Sequence, residues 1–227
     1  MIKANIIDNN KSKYMIIEPN ADGRRLTIRY MQYMYSDQEG YDGIPEWEIY
    51  DYGCGVCSLA TIISSLGYDF DPIEIAKIVL MDDFENPLNF FTNKKKGRLG
   101  LTTISFVYAL QNLVRKYGLD IDYELIKYSD EMPELTKEQI TNMIQNGYMA
   151  MILVGPKESG DSPCTFSKYR HYIAITSVNV NNKEFYVSNP NTTGDSQIDT
   201  TYPYEELVAN ICNSIFLMVG NNSGMRK

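Results

Sequence analysis

The chain has 227 residues, of which 44% are hydrophobic and 22% are charged, an ordinary composition for a globular protein with a hydrophobic core. Its net charge of −8 disfavours nucleic-acid binding, because affinity for the phosphate backbone comes from clustered Lys and Arg side chains. No apolar run approaches the roughly 20 residues that span a bilayer, and the N-terminus has no apolar signal-peptide segment, so we expect a cytoplasmic protein without a membrane partner.

The N-terminal part of the chain is predicted to have little regular structure. Residues 1–25 are polar and irregular, with turn signals at Asn9-Asn10 and from Asn20 to Gly23, and we expect them to form an N-terminal arm or a small hairpin. The remainder, residues 26–227, is predicted to be a single domain that begins with a strand at about 26–35. A long polar loop follows at 36–53 and contains the single tryptophan, Trp47. Since a long loop before a motif is often part of a functional site, we expect Trp47 near the site.

Four amphipathic helices are predicted next, because apolar residues recur at intervals of three and four. The first has its N-terminus at Cys54, and the second begins with a capping-box pattern formed by Asp71 and Glu74. The helices are predicted from Cys54 to the residue before Gly67, from Asp71 onward, from about Thr103 to Tyr117, and from Thr136 to Gly147.

Short runs rich in β-branched and aromatic residues predict strands in the rest of the chain. These strands are predicted at 148–154, 171–180, 184–188 and 214–219, with Asn181-Asn182 as a hairpin turn. Helices that come first and strands that come second are typical of an α+β architecture. We therefore predict an α+β fold in which a helical half, at about 54–147, packs on an antiparallel sheet formed by a second half at about 148–220.

Cys54 is the first candidate for chemistry, because it lies at a predicted helix N-terminus between two glycines. The unpaired N–H groups and partial positive charge at such a position favour a thiolate, the reactive form of cysteine. Gly53 and Gly55 permit a sharp turn and leave room for a substrate. Cys57 completes a C-x-x-C pattern, which is also the motif of a thiol–disulfide oxidoreductase. The simplest alternative is that Cys54 is a small apolar residue in a turn.

His171 is the single histidine of the chain and begins a predicted strand. A serine triad would need this histidine and a G-x-S-x-G elbow, which the sequence lacks. A zinc site would need His171 to converge with Cys54, Cys57 and Cys164, and a purely structural histidine is a further alternative. We predict neither a metal nor an organic cofactor.

Asn189 lies at the end of the strand that follows the hairpin from His171. If the two strands pair, the amide oxygen of Asn189 can accept the imidazole N–H and fix the tautomer of the ring. An asparagine before Pro190 is also a common turn residue. The pattern predicts a Cys54–His171–Asn189 triad, with the thiol and the imidazole facing each other across a cleft between the two halves and within hydrogen-bonding reach.

Three segments resemble the bacterial papain-like peptidases that are related to the double-glycine leader peptidases of bacteriocin exporters. The run Cys54-Gly55-Val56-Cys57-Ser58-Leu59-Ala60 is similar to the C-G-P-T-S-L-A motif of that family, with Val and Cys in place of Pro and Thr. The strand from His171 and the later segment Val187-Ser188-Asn189-Pro190 are similar to the family's histidine strand and to its strand that ends in Asp-Pro. Asparagine replaces aspartate here, as it does in papain.

The resemblance implies a papain-like fold, cysteine-peptidase activity on a peptide or protein substrate, and a glutamine before the nucleophile that contributes to the oxyanion hole. Gln32 fits that position at the end of the first predicted strand, and Gln38 is the competing candidate. Two alternatives stay open, namely an oxidoreductase that uses Cys54 and Cys57 and an inert papain-like binding module. Transpeptidation or acyl transfer would use the same residues as hydrolysis. The oligomeric state is not predicted.

Overall fold

The computed structural model describes residues 15–19, 26–32, 53–81, 102–127, 133–156, 165–191, 200–212 and 215–222. The predictions for Gln38, Trp47, Cys164 and most of the 36–53 loop lie outside the described residues.

Five helices and eight strands make up the described structure. The helices are α1 (Cys54–Ser65), α2 (Pro72–Met81), α3 (Thr103–Tyr117), α4 (Pro133–Gln145) and α5 (Tyr204–Ala209). The strands are β1 (Met15–Pro19), β2 (Leu26–Tyr30), β3 (Ile121–Lys127), β4 (Met149–Val154), β5 (His171–Asn179), β6 (Glu184–Ser188), β7 (Thr200–Pro203) and β8 (Ile215–Asn221). The predicted α+β class is confirmed.

The helices begin and end where their capping residues allow. In α2 the carboxylate of Asp71 accepts the Glu74 N–H at 2.8 Å and the carboxylate of Glu74 accepts the Asp71 N–H at 2.9 Å, so the predicted capping box is present. At the end of α3, Gly118 has φ of +68°, the left-handed conformation that glycine adopts without steric cost. The predicted start of α4 at Thr136 is late, because the helix already begins at Pro133, a residue that suits the first helical turn.

Six strands form one sheet in the order β3-β8-β4-β5-β6-β7, in which every neighbouring pair is antiparallel. The strands β1 and β2 form a separate two-stranded sheet, with Ile17 opposite Ile28. The sequence did not predict β3, which lies between two helices in the chain and yet occupies an edge of the large sheet. Nor did it predict β7 and α5, whereas β1 lies in the segment expected to form an arm or a small hairpin and pairs with β2. Helices and strands are therefore less strictly separated along the chain than predicted.

Successive residues of β4 point to opposite faces of the sheet and divide the core into two parts. Met149 and Met151 face α1, α2 and α3, whereas Ala150, Ile152 and Val154 face α4 and α5. In the first part α1 is almost fully covered, and all its residues from 55 to 65 are buried. Within the part of the chain that the structure describes, no helix has the length and apolar character needed to cross a membrane.

Candidate active site

The N-terminus of α1 places Cys54 against the start of β5. Gly53 is the N-cap residue and no side chain caps the helix, whose first described hydrogen bond runs from the Cys57 N–H to the Gly53 carbonyl at 2.8 Å. The thiol of Cys54 is half-buried, and the backbone N–H groups of Tyr172, Gly55 and Cys54 itself lower its pKa. Tyr172 directly follows His171, so the thiol lies beside the backbone that carries the imidazole.

Tight packing explains why a glycine, Gly55, follows Cys54. A Cβ at Gly55 would overlap the ring of Phe106 and would lie 3.2 Å from Cδ2 of Tyr172. These two rings meet edge to face with centroids 5.2 Å apart, and the Tyr172 hydroxyl is 3.2 Å from Oγ1 of Thr103. The start of α1 is thus wedged between α3 and β5, which fixes the position of Cys54.

A network of asparagine side chains surrounds the imidazole of His171, which is 2% exposed. Its Nε2 lies 2.8 Å from Oδ1 of Asn189, and its Nδ1 lies 3.2 Å from Nδ2 of Asn191. The Asn189 oxygen also accepts the backbone N–H of Asn191 at 2.9 Å, and the Asn189 amide donates to the Phe166 carbonyl at 3.5 Å. Asn189 therefore meets His171 as the β5–β6 pairing predicted.

The tautomer of His171 follows from these contacts. A backbone N–H can only donate, so the Asn189 atom that it contacts must be the amide oxygen. That oxygen also faces Nε2 of His171, and therefore Nε2 carries the ring proton and donates it. In the neutral ring the lone pair is then on Nδ1, which is the nitrogen able to accept a proton.

Two sets of contacts indicate the position of Gln32, one with the segment after β6 and one between β2 and α1. Its backbone N–H donates to the Pro190 carbonyl at 3.0 Å, and its side chain is buried. The preceding strand β2 runs along α1 toward the helix N-terminus, because the Ile28 N–H donates to Oγ of Ser65 at 2.8 Å and the Tyr30 N–H donates to Oγ1 of Thr61 at 3.2 Å. β2 therefore runs toward the first turn of α1, where Cys54 lies, and Gln32 follows its last residue by two positions.

Among the described contacts, no hydrogen bond joins Cys54 Sγ to either ring nitrogen of His171. The two ring nitrogens contact asparagines instead, with the Asn191 amide at Nδ1 and the Asn189 oxygen at Nε2. Cys54, His171, Asn189 and Gln32 nevertheless converge on one region, at the start of α1 and of β5.

Burial sets the protonation states of the thiol and the imidazole. It raises the pKa of Cys54 above its ordinary value, against the backbone hydrogen bonds that lower it. Burial also lowers the pKa of His171 to about 4, against the hydrogen bond that the ring donates to Asn189, which raises it. The sequence predicted a thiolate from the helix N-terminus alone. Desolvation outweighs that effect and favours the neutral form of both groups.

Cys57 differs sharply from Cys54. Its side chain is fully buried in the core between α1 and the sheet, and desolvation raises its pKa well above the ordinary value. Both residues are free thiols, as is Cys212. A resolving cysteine in an oxidoreductase must be reachable by thiolate attack, so the burial of Cys57 does not favour the redox alternative.

A metal site is not favoured by the described residues, among which no group of three His, Cys, Asp or Glu side chains is placed to hold an ion. The predicted zinc alternative includes Cys164, which is not among them.

Sequence reasoning missed Tyr172 and Asn191. Tyr172 follows the histidine in a run of apolar residues, and nothing in that pattern indicates that its N–H contacts the thiol. Asn191 is separated from Asn189 by one proline, and the repeated Asn-Pro-Asn was the signal that could have identified it.

The fold places a half-buried cysteine at the N-terminus of a helix that packs on a histidine-bearing antiparallel sheet, which is a cysteine-peptidase type of fold. A model of the Peptidase_C39-like family matches residues 29–216, and the chain belongs to that family. The resemblance to the papain-like peptidases related to bacteriocin exporters is thereby confirmed.

Two solved structures are similar to the chain. The first, described as a C39-like peptidase from Bacillus anthracis, is 14% identical with a TM-score of 0.48, and the match covers 76% of this chain and 90% of that one. The second is the N-terminal peptidase C39-like domain of a toxin secretion ATP-binding protein from Vibrio parahaemolyticus, 13% identical with a TM-score of 0.33, over 65% of this chain and 93% of that one. No curated protein matches the chain.

Proposed function

We propose that the chain is a cysteine hydrolase that cleaves a peptide or related amide bond. One observation supports this most strongly: the single histidine of the chain has its tautomer set by Asn189 at 2.8 Å and directly precedes the residue whose backbone contacts the Cys54 thiol. The base and the group that orients it are thus in place beside the backbone that contacts the nucleophile, which supports an activated thiol.

In the proposed reaction Cys54 is the nucleophile and Nδ1 of His171 is its base. The proton of the thiol passes to Nδ1, and the thiolate attacks the carbonyl carbon of the substrate. The imidazolium then gives its proton to the leaving amine as the C–N bond breaks, which leaves a thioester on Cys54. Water, deprotonated by the same nitrogen, hydrolyses the thioester and releases the acid.

Burial favours the neutral thiol and the neutral imidazole, so the proposed proton transfer between them requires a bound substrate. Burial holds the pKa of the thiol high and that of His171 at about 4, so proton transfer is unfavourable in the unliganded site. A bound carbonyl changes this balance, because the thiolate is consumed as it forms and the developing charge moves to the carbonyl oxygen. We propose that the Cys54 N–H and the Gln32 amide stabilise this oxyanion.

The substrate class follows from the chemistry of the site. A thiolate with an imidazole acid cleaves an amide without a metal or cofactor, and we propose a peptide or protein as the substrate. The buried Cys57 argues against the redox alternative. An inert binding module is the remaining alternative, and it predicts peptide binding without turnover.

The test is cleavage of a mixed peptide library, followed by mass spectrometry, with Cys54→Ala and Cys57→Ser compared as matched variants. We expect Cys54→Ala to lose the activity and Cys57→Ser to keep most of it, because Cys57 only fills the core. Gln32→Ala should reduce turnover by about 10²–10³, the usual effect of one oxyanion donor. Equal activity of wild type and Cys54→Ala would contradict the proposal, and binding without cleavage by the wild type would identify an inert module.

A further inference from the structure

Asn191 contacts both members of the His171–Asn189 pair. Its backbone N–H donates to Oδ1 of Asn189 at 2.9 Å, and its side-chain amide lies 3.2 Å from Nδ1 of His171. The residue is half-buried and follows the last strand residue of β6 by three positions. A single residue thereby supports the orienting oxygen and reaches the opposite side of the imidazole.

The direction of the second hydrogen bond is determined by the first. Because Nε2 of His171 donates its proton to Asn189, Nδ1 carries the lone pair and accepts. The Asn191 group at 3.2 Å is Nδ2, an amide nitrogen that can only donate. The lone pair that would take the proton of Cys54 is therefore already engaged.

We propose that Asn191 is a positioning residue whose side-chain amide caps the proton-accepting Nδ1 of His171 until substrate binding moves the amide away. This inference rests on the proposed function. When the amide leaves, the S–H bond of Cys54 breaks, an N–H bond forms at Nδ1, and the proton stays on the ring until the leaving amine takes it. Asn191 exchanges hydrogen bonds and undergoes no covalent change.

The groups that affect the protonation of the His171 imidazole are uncharged. In the described structure the pKa of His171 reflects burial and then Asn189, and no charged side chain contributes to it. Burial also raises the pKa of the Cys54 thiol and of the Tyr172 phenol, the residue that follows His171 in β5. A donor at Nδ1 favours the neutral ring further, because a protonated Nδ1 could not accept the bond.

The test uses the fact that the chain has one histidine, so its ring signals need no assignment among several residues. Proton–nitrogen correlation spectra of the free wild-type protein should show the proton on Nε2. In Asn191→Ala the proton should remain on Nε2, because Asn189 is intact, while the Nδ1 resonance should shift on loss of its donor. Asn182→Ala, in the exposed β5–β6 turn, is the matched control and should leave both resonances unchanged.

Alkylation of Cys54 by iodoacetamide is the second measurement, because it responds to the availability of Nδ1. Asn191→Ala should raise the labelling rate of Cys54 about fivefold near pH 8, the factor expected for loss of one ordinary hydrogen bond. Asn191→Asp covers the case in which the alanine variant does not fold. Its carboxylate accepts from a protonated Nδ1, so the titration of His171 should move to higher pH.

A proton on Nδ1 in the wild type, or unchanged Nδ1 signals in both variants, would overturn the proposal. Slower labelling of Cys54 in Asn191→Ala would do the same, because it would make the amide a support for proton transfer instead of a cap. Neither measurement needs a substrate. An absence of hydrolysis therefore contradicts the proposed function alone, and the spectra decide the role of Asn191 separately.

Discussion

The two sides of the site are built in different ways. The cysteine side depends on shape, since α1 begins at a glycine N-cap without a side-chain cap and Gly55 fits under the rings of Phe106 and Tyr172. The histidine side depends on polar side chains, since both ring nitrogens of His171 contact asparagines. The position of Cys54 is thus tied to the stability of the core, whereas the tautomer of His171 is tied to a few hydrogen bonds.

The largest effect is expected from the packing on the cysteine side. Phe106 is fully buried, so Phe106→Ala should lower the free energy of unfolding by about 3–5 kcal/mol through lost burial and a cavity next to α1. Urea denaturation monitored by circular dichroism measures this. Ile104→Ala on the same helix is the control, since Ile104 is 46% exposed and its change should stay within about 0.5 kcal/mol. Equal losses in the two variants would mean that Phe106 does not hold the start of α1.

A smaller, pH-dependent effect is expected from the histidine side. The pKa of His171 is about 4 in the folded protein and 6.5 in its ordinary state, so the unfolded chain binds a proton more readily. The contribution of neutral His171 to the free energy of unfolding is complete above pH 6.5 and is lost as the pH falls toward 4. Between pH 7 and pH 5 the wild type should lose about 2 kcal/mol of unfolding free energy through this group.

Urea denaturation of the wild type and of His171→Gln, each at pH 7 and at pH 5, isolates this effect. The variant has no ring to protonate. The variant should lose less stability than the wild type between pH 7 and pH 5, by the amount that belongs to His171. If both proteins lose the same amount, the imidazole is not held neutral by burial and Asn189.

The smallest effect separates the two cysteines of α1. Cys54 is half-buried and Cys57 is 0% exposed, so brief iodoacetamide treatment of the folded protein should label Cys54 at least about tenfold faster. Because burial raises the pKa of Cys54, its labelling should accelerate as the pH rises above 9. Peptide mass spectrometry gives both rates. Rapid labelling that is independent of pH down to 5 would instead indicate a stable thiolate–imidazolium pair.

The sequence was sufficient for the elements whose signals are local. The helix from Thr103 to Tyr117 has a periodic apolar face and a glycine end, and it was predicted with the observed bounds. The hairpin of β5 and β6 brought Asn189 to His171 by strand pairing alone. β3 was not predicted, because its side chains alternate weakly and its partner β8 lies about 90 residues further along the chain.

The state of the site depends on three-dimensional surroundings that the pattern of residues does not contain. A cysteine at a helix N-terminus predicted a thiolate, but the desolvation that opposes it comes from the covering of α1 by β2, α3 and β5. The contact of Asn191 with Nδ1 depends on the turn at Pro190, which the Gln32 N–H helps to fix. Such effects depend on how the folded chain packs, whereas the order of the Cys, His and Asn residues is visible in the sequence.

The place of β8 in the sheet has a consequence for synthesis on the ribosome. β8 lies between β3 and β4, and it is the last described strand of the chain. While the chain emerges, β3 and that flank of β4 have no sheet partner until residues 215–221 are available, so apolar faces that will later be covered stay open longest there. Domains form contacts between distant segments slowly, and chaperone binding during synthesis should therefore concentrate on this flank of the nascent sheet.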